Sequence, residues 1–145
     1  MNKTNSFLIA ITIIFSSLFA NAADTPDSLN EVKVVSAEET KKLVDSGTPI
    51  FDVRVASEFA EEHIKGAVSL PYSEKSKKEV GFDASTDKFD DSKLPAAKMI
   101  LHCNGKECWK SYKAAVWAHK KGKKEIYWFR DGFPSWKAKG FPIEK

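Results

Sequence analysis

Short apolar segments that favour strands alternate with helix-forming segments along most of the chain. Strands are expected at 32–35, 49–53, 67–70, 99–102 and 125–129, and helices at 36–44, 58–62, 109–121 and 134–139. Because strands joined through helices become parallel neighbours, this order predicts an α/β fold with a mostly parallel five-stranded sheet and helices on both faces. The ligand site of such a sheet lies at the carboxyl ends of its strands.

The first 22 residues have the pattern of a secretory signal peptide. Lys3 precedes the apolar run 7–20, and the small residues at 20–22 fit a cleavage site. The run is shorter than the roughly 20 residues of a membrane span, although an uncleaved anchor is the alternative. We therefore expect an exported, periplasmic protein without a stable membrane anchor. Residues 23–31 are polar and are expected to form a flexible lead-in, and 32–145 form one domain.

Charge and acidic residues exclude some classes of partner. The formal net charge of +3 is too small to indicate a nucleic-acid partner. Asp83, Asp87, Asp90 and Asp91 lack the spacing and the glycine of an EF-hand calcium loop. We predict that they are solvated, within a loop at 73–97 that contains at most one short helix.

Both cysteines of the chain lie in one short segment at the carboxyl end of a predicted strand. Cys103 follows the apolar run 99–102, and a predicted helix begins at Trp109. A helix N-terminus and loop N–H groups favour a thiolate over a thiol, so Cys103 is the candidate nucleophile. Lys106 and Lys110 add positive charge that suits an anionic substrate. The candidate anion-binding loop consists of Asn104, Gly105, Lys106, Glu107, Cys108 and Trp109.

Two other chemistries fit this segment poorly. Cysteine phosphatases place an arginine six residues after the cysteine to hold the phosphate oxygens, and Trp109 stands there. A metal site would use His102, Cys103 and Cys108, but it lacks a convincing fourth ligand. Neither a metal nor a cofactor is expected.

Three stretches together resemble the single-domain rhodanese family of sulfurtransferases, specifically an exported bacterial type with a second loop cysteine. The first stretch contains Phe51–Arg54, Glu58–Phe59, His63–Ala67 and Leu70–Pro71. The second is the strand, cysteine, loop and helix around Cys103. The third contains Arg130–Trp136 and Gly140–Pro142. The resemblance covers about 32–143, which is nearly all of the chain beyond the signal peptide.

The resemblance implies a sulfur transfer in two steps. Cys103 would take sulfane sulfur from a small donor such as thiosulfate or polysulfide, hold it as a persulfide, and pass it to a thiophilic acceptor. Asp52 and Arg54 would support the fold, with Arg54 ion-paired, and His63 would fix a turn. Family members usually have arginine directly after the cysteine, whereas this chain has Asn104 at that position. The resemblance therefore does not identify the sulfur donor.

Cys108 leaves several alternatives open. It could displace the persulfide sulfur and form a disulfide with Cys103, so that a thiol or a reducing partner protein restores the site. The pair could instead be a thiol–disulfide redox module that never carries sulfur, or a simple stabilising disulfide. A non-catalytic binding domain is a further alternative.

Overall fold

The protein is described by a computed structural model that covers residues 23–145. The predicted signal peptide, 1–22, lies outside the described residues. Within the described part of the chain, no helix has the length and hydrophobicity that crossing a membrane requires.

Seven strands and four helices make up the domain. The strands are β1 Lys33–Val34, β2 Ile50–Asp52, β3 His63–Ile64, β4 Val68–Ser69, β5 Met99–His102, β6 Ile126–Phe129 and β7 Ile143–Glu144. The helices are α1 Ala37–Asp45, α2 Ala56–Glu61, α3 Trp109–Lys120 and α4 Gly132–Ala138. The predicted elements agree with these bounds to within two residues at each end.

Five strands form a parallel sheet in the order β1-β6-β5-β2-β4. The predicted α/β fold with a five-stranded, mostly parallel sheet is therefore confirmed. The two short strands β3 and β7 form a separate antiparallel pair. No sequence pattern predicts this pair, since two-residue strands show no hydrophobic periodicity.

Alternating side chains of the central strands fill two cores, one on each face of the sheet. Leu101 and Trp128 pack on one face with α3 residues such as Ala114, whereas Ile100 packs on the other with Trp136 of α4. Because successive residues of a strand point to opposite faces, strands buried on both sides must be apolar throughout. The helices therefore lie on both faces, as predicted.

The segment 73–97 contains two short 3₁₀ turns, Ala84–Thr86 and Asp91–Lys93, rather than one short helix. Asp87 is buried, which corrects the prediction that it is solvated. Its carboxylate accepts hydrogen bonds from the Tyr72 hydroxyl, the Lys75 N–H, and the Ser76 N–H and hydroxyl. These bonds fold the segment back on itself, and they come from residues too far along the chain for a local pattern to reveal.

Asp87→Asn should destabilise the protein and change its acid sensitivity. Burial opposes ionisation, but the hydrogen bonds from Ser76, Lys75 and Tyr72 lower the pKa of Asp87 to about 2. A lowered folded-state pKa stabilises the protein above the unfolded value and loses that effect as the pH falls towards 2. We expect a loss of about 2 kcal/mol at neutral pH. Urea unfolding between pH 7 and pH 2 measures it, and equal slopes with pH for both proteins would contradict this role.

Candidate active site

The loop 103–108, here called the active-site loop, connects the carboxyl end of β5 to the first turn of α3. It closes through a hydrogen bond from the Cys108 N–H to the Gly105 carbonyl, 3.0 Å. Gly105 has a φ of +114°, a conformation that favours glycine. The sequence therefore produces a tight turn that carries both cysteines at the ligand-binding edge of the sheet.

Backbone donors in this loop are available to an anion. Within residues 23–145, the N–H groups of 104–107 donate to no other protein group. Helix α3 begins at Trp109, immediately after this loop, so the helix N-terminus adds partial positive charge to the loop. Successive free N–H groups at a helix start favour a thiolate or persulfide anion over its neutral form.

Cys103 and Cys108 form a disulfide, with Cα atoms 6.4 Å apart. The side chain of Cys103 is fully buried, whereas Cys108 is partly exposed. The Cys103 sulfur also lies 3.5 Å from the Cys108 carbonyl oxygen. The structure is thus an oxidised form in which the candidate nucleophile is covalently blocked and buried.

The first turn of α4 packs directly on the loop backbone. The Phe133 N–H donates to the Cys103 carbonyl at 2.9 Å. Gly132 has a φ of +63°, and a Cβ at this position would lie 2.2 Å from the same carbonyl oxygen and 2.8 Å from the Gly105 nitrogen. The C-terminal signature therefore holds the position of Cys103 through main-chain contacts.

Asp52 and Arg54 form a buried ion pair at 2.6 Å. Arg54 also donates to the Glu62 carbonyl and stacks on the Phe133 ring, with its guanidinium carbon 4.2 Å from the ring centre. This arrangement connects β2 to the start of α4, next to the backbone contact with Cys103. Arg54 therefore has the ion pair that the family resemblance implies.

His102 is the last residue of β5, directly before Cys103, and it is fully buried. Burial lowers its pKa, and the nearby Arg54 charge adds to that, although Asp52 at 3.7 Å acts in the opposite direction. The imidazole is therefore neutral at pH 7 and adds no positive charge beside Cys103. The Nδ1–H of His63 donates a hydrogen bond to the Phe59 carbonyl at 2.8 Å, so it does fix a local turn.

The two loop lysines have different surroundings. Lys106 is mostly exposed, and its ammonium lies 3.8 Å from an Asp131 carboxylate oxygen. Lys110 lines a cleft of about 270 Å³ beside Cys108. The cleft is lined by Glu74, Lys78, Asn104, Glu107, Cys108, Trp109 and Lys110. Of the predicted cations, Lys110 is the one that borders this opening.

Sequence reasoning missed two residues of the cleft, Glu74 and Lys78. Both belong to the irregular segment 73–97, whose path no periodicity reveals. Glu74 reaches the cleft because fully buried Lys113, one turn after Trp109, lies 2.9 Å from its carboxylate. Lys113 falls on the inner side of α3, and a buried lysine almost always has an acidic partner. This was the one available signal that an acidic residue lies near the start of α3.

The predicted flexible lead-in is wrong for its first residues, which pack on the active-site loop. Thr25 is 2% exposed, and its N–H and hydroxyl both donate to the Lys106 carbonyl at 2.8 Å. Arg130 donates to the Thr25 carbonyl and hydroxyl oxygens, and the Trp109 indole donates to the Ala23 carbonyl. We call residues 23–27 the N-terminal strap. The strap has the polar composition of a linker. Its hydrogen-bond partners lie more than 80 residues away along the chain, so the local sequence does not reveal that it is held in place.

Thr25→Val should loosen this strap without changing side-chain shape. The substitution removes the hydroxyl donor to the Lys106 carbonyl, although the N–H donor stays, and it removes an acceptor for buried Arg130, so we expect a loss of about 1–3 kcal/mol. The free energy of unfolding measures it. Thr86→Val, at an exposed position, is the control and should cost far less. A Thr25→Val protein as stable as wild type would show that the strap does not support the loop.

Comparison with known proteins agrees with this geometry. The model of the Rhodanese-like domain family matches residues 36–139, whereas no curated protein matches the chain. A Bacillus halodurans protein is 20% identical over 77% of this chain and 76% of its own, with a TM-score of 0.58. The rhodanese-like domain of an Anabaena protein is 24% identical over 76% of each chain, with a TM-score of 0.56.

An enzyme also shares the fold. A thiosulfate sulfurtransferase from Pseudomonas aeruginosa is 21% identical over 78% of this chain, with a TM-score of 0.56, and this chain matches 20% of its length. At such identities the likeness to solved structures concerns the fold alone. The family model, however, matches well over half of the sequence and ends just before the last signature glycine. The chain therefore belongs to the rhodanese-like domain family.

Proposed function

We propose that the protein is a sulfurtransferase that carries sulfane sulfur on Cys103. The observation that supports it most is the position of Cys103. It is the first residue after a central parallel strand, in a loop of free N–H groups at the start of a helix. Within the rhodanese-like family, this is where the sulfur-accepting cysteine is expected.

The proposed reaction has two displacements at sulfur. The reduced Cys103 thiolate attacks the outer sulfur of thiosulfate, the S–S bond of the donor breaks, and sulfite leaves with the electron pair. A thiolate or another soft nucleophile then attacks the outer sulfur of the persulfide, and the Cys103 thiolate leaves. The loop N–H groups stabilise the negative charge on Cys103 in both steps. Polysulfide would react in the same way, with a shortened polysulfide as leaving group.

The disulfide supports a second candidate function. A chain whose two cysteines are already paired could exchange electrons with a partner dithiol and carry no sulfur at all. The two functions differ in their need for Cys108, because a redox pair requires both thiols and a persulfide requires one.

Cys108→Ser separates these functions. We expect the reduced variant to retain sulfur transfer from thiosulfate or polysulfide to a thiol acceptor at a rate within about tenfold of wild type, since Cys103 and the loop N–H groups stay. The assay measures sulfite or released sulfide over time. Loss of all transfer in Cys108→Ser, with retained disulfide exchange in the wild type, would favour the redox module instead.

We also propose that residues 1–22 direct export to an oxidising compartment. The disulfide supports this, because such bonds persist mainly outside the cytoplasm. Sequencing the N-terminus of the protein from fractionated cells tests the proposal. A mature chain that begins at Ala23 in the periplasm is expected, and a chain that begins at Met1 in the cytoplasm would contradict it.

A further inference from the structure

The two sulfurs of the disulfide differ in accessibility. Cys103 is fully buried, whereas Cys108 is partly exposed and lines the cleft of about 270 Å³ at the start of α3. A thiolate can open a disulfide only at a sulfur that it reaches. Access therefore favours attack at Cys108.

Both sulfurs would leave into surroundings that favour a thiolate. Cys103 directly precedes the free N–H groups of 104–107, and Cys108 is the N-cap residue of α3. Because a stabilised thiolate leaves readily from either position, accessibility decides the direction of attack.

We propose that Cys108 is the site at which a small anionic thiol reactivates the protein. The thiolate attacks the Cys108 sulfur, the Cys103–Cys108 bond breaks, and Cys103 leaves as a thiolate with the electron pair. A second thiol then attacks the mixed disulfide, which releases an oxidised thiol pair and the Cys108 thiolate. This inference rests on the proposed function, in which Cys103 must be free before it accepts sulfur.

The charges of the cleft favour an anionic thiol. Glu74 lies 2.9 Å from the ammonium of buried Lys113, so its charge is balanced. Among the remaining lining groups, Lys78 and Lys110 outnumber the single carboxylate of Glu107. A thiol with carboxylates of its own, such as glutathione, fits this excess of positive charge.

Trypsin separates the two cysteines, which makes the site of attack measurable. Cleavage after Lys98, Lys106 and Lys110 places Cys103 in the peptide 99–106 and Cys108 in the peptide 107–110. The oxidised protein is given a short pulse of glutathione, quenched with N-ethylmaleimide and digested without reductant. We expect glutathione on 107–110 and the maleimide on 99–106. Glutathione on 99–106, an equal distribution, or a disulfide that glutathione leaves intact would overturn the inference.

A charge reversal tests the cleft itself. Lys110→Glu should slow opening by glutathione by about threefold or more at low ionic strength, with a smaller effect at high salt. Lys120→Glu, at the other end of α3, is the matched control and should open at the wild-type rate. Equal rates for Lys110→Glu and wild type would show that the thiol does not approach through this cleft.

The failure of this inference and that of the proposed function are distinguishable. A phosphine can reduce the disulfide in advance. Persulfide formation on the reduced protein then depends on Cys103 and does not require an external thiol to attack Cys108. An adduct on the wrong peptide therefore overturns the reactivation step and leaves the sulfurtransferase standing. Absence of a persulfide overturns the sulfurtransferase and leaves only the direction of disulfide opening.

Discussion

Replacing Cys103 by serine should abolish sulfur transfer from every donor. A serine hydroxyl is far less acidic than a thiol and forms no stable bond to sulfane sulfur, so neither displacement can occur. We expect a loss of at least about 1,000-fold, down to the uncatalysed rate. The release of sulfite from thiosulfate, in the presence of a thiol acceptor, measures it.

Cys108→Ser provides the matched control for this variant. Both substitutions remove the same disulfide, and so both remove the same constraint on the unfolded chain, a difference of at most about 3 kcal/mol for so short a loop. Any difference in activity between the two variants then comes from the nucleophile. Equal residual activity in Cys103→Ser and Cys108→Ser would contradict a persulfide on Cys103.

Gly132→Ala should disrupt the active-site loop although it adds one methyl group outside it. The new Cβ would lie 2.2 Å from the Cys103 carbonyl oxygen and 2.9 Å from its carbonyl carbon. These are backbone atoms at the end of a central strand, which cannot move without displacing the loop. The φ of +63° adds strain for any residue with a Cβ. We expect a loss of at least about 3 kcal/mol in stability, and a strong loss of sulfur transfer.

Gly122→Ala isolates the cost of the backbone conformation alone. Gly122 has a φ of +76°, but a Cβ there has nothing within 4 Å. This variant should lose only about 1–2 kcal/mol and keep its sulfur-transfer rate. Urea unfolding and the sulfite assay together compare the two variants. If both alanine variants behave alike, then contact with the Cys103 carbonyl does not position the loop.

The parts of the fold that sequence could predict are those with local signals. Ser36 and Glu39 form a capping box at the start of α1, with both hydrogen bonds present, and a serine followed three residues later by glutamate is a local signal of a helix start. The run Met99–His102 is apolar through its first three residues because β5 is buried on both faces. Ligand sites lie at the carboxyl ends of parallel strands, and this rule identifies the cysteine at the end of β5 as a candidate site residue.

The parts that sequence missed depend on contacts between distant residues. The strap is held by Thr25, which bonds to residues 81 and 105 positions away. Glu74 reaches the cleft through Lys113, and Asp87 is buried by bonds that fold an aperiodic segment back on itself. The close approach of Gly132 to Cys103 is equally non-local. Thr25 and Gly132 contact the active-site loop directly, and no local sequence pattern reveals either contact.

Persulfide formation on the reduced protein tests the central claim most directly. The Cys108→Ser form is best suited, because it cannot displace the bound sulfur, and Cys103→Ser is its control. After thiosulfate or polysulfide, digestion and mass analysis should find one added sulfur atom on the peptide 99–106, which a thiol reductant removes. An unchanged mass of this peptide with every sulfane-sulfur donor would contradict the account.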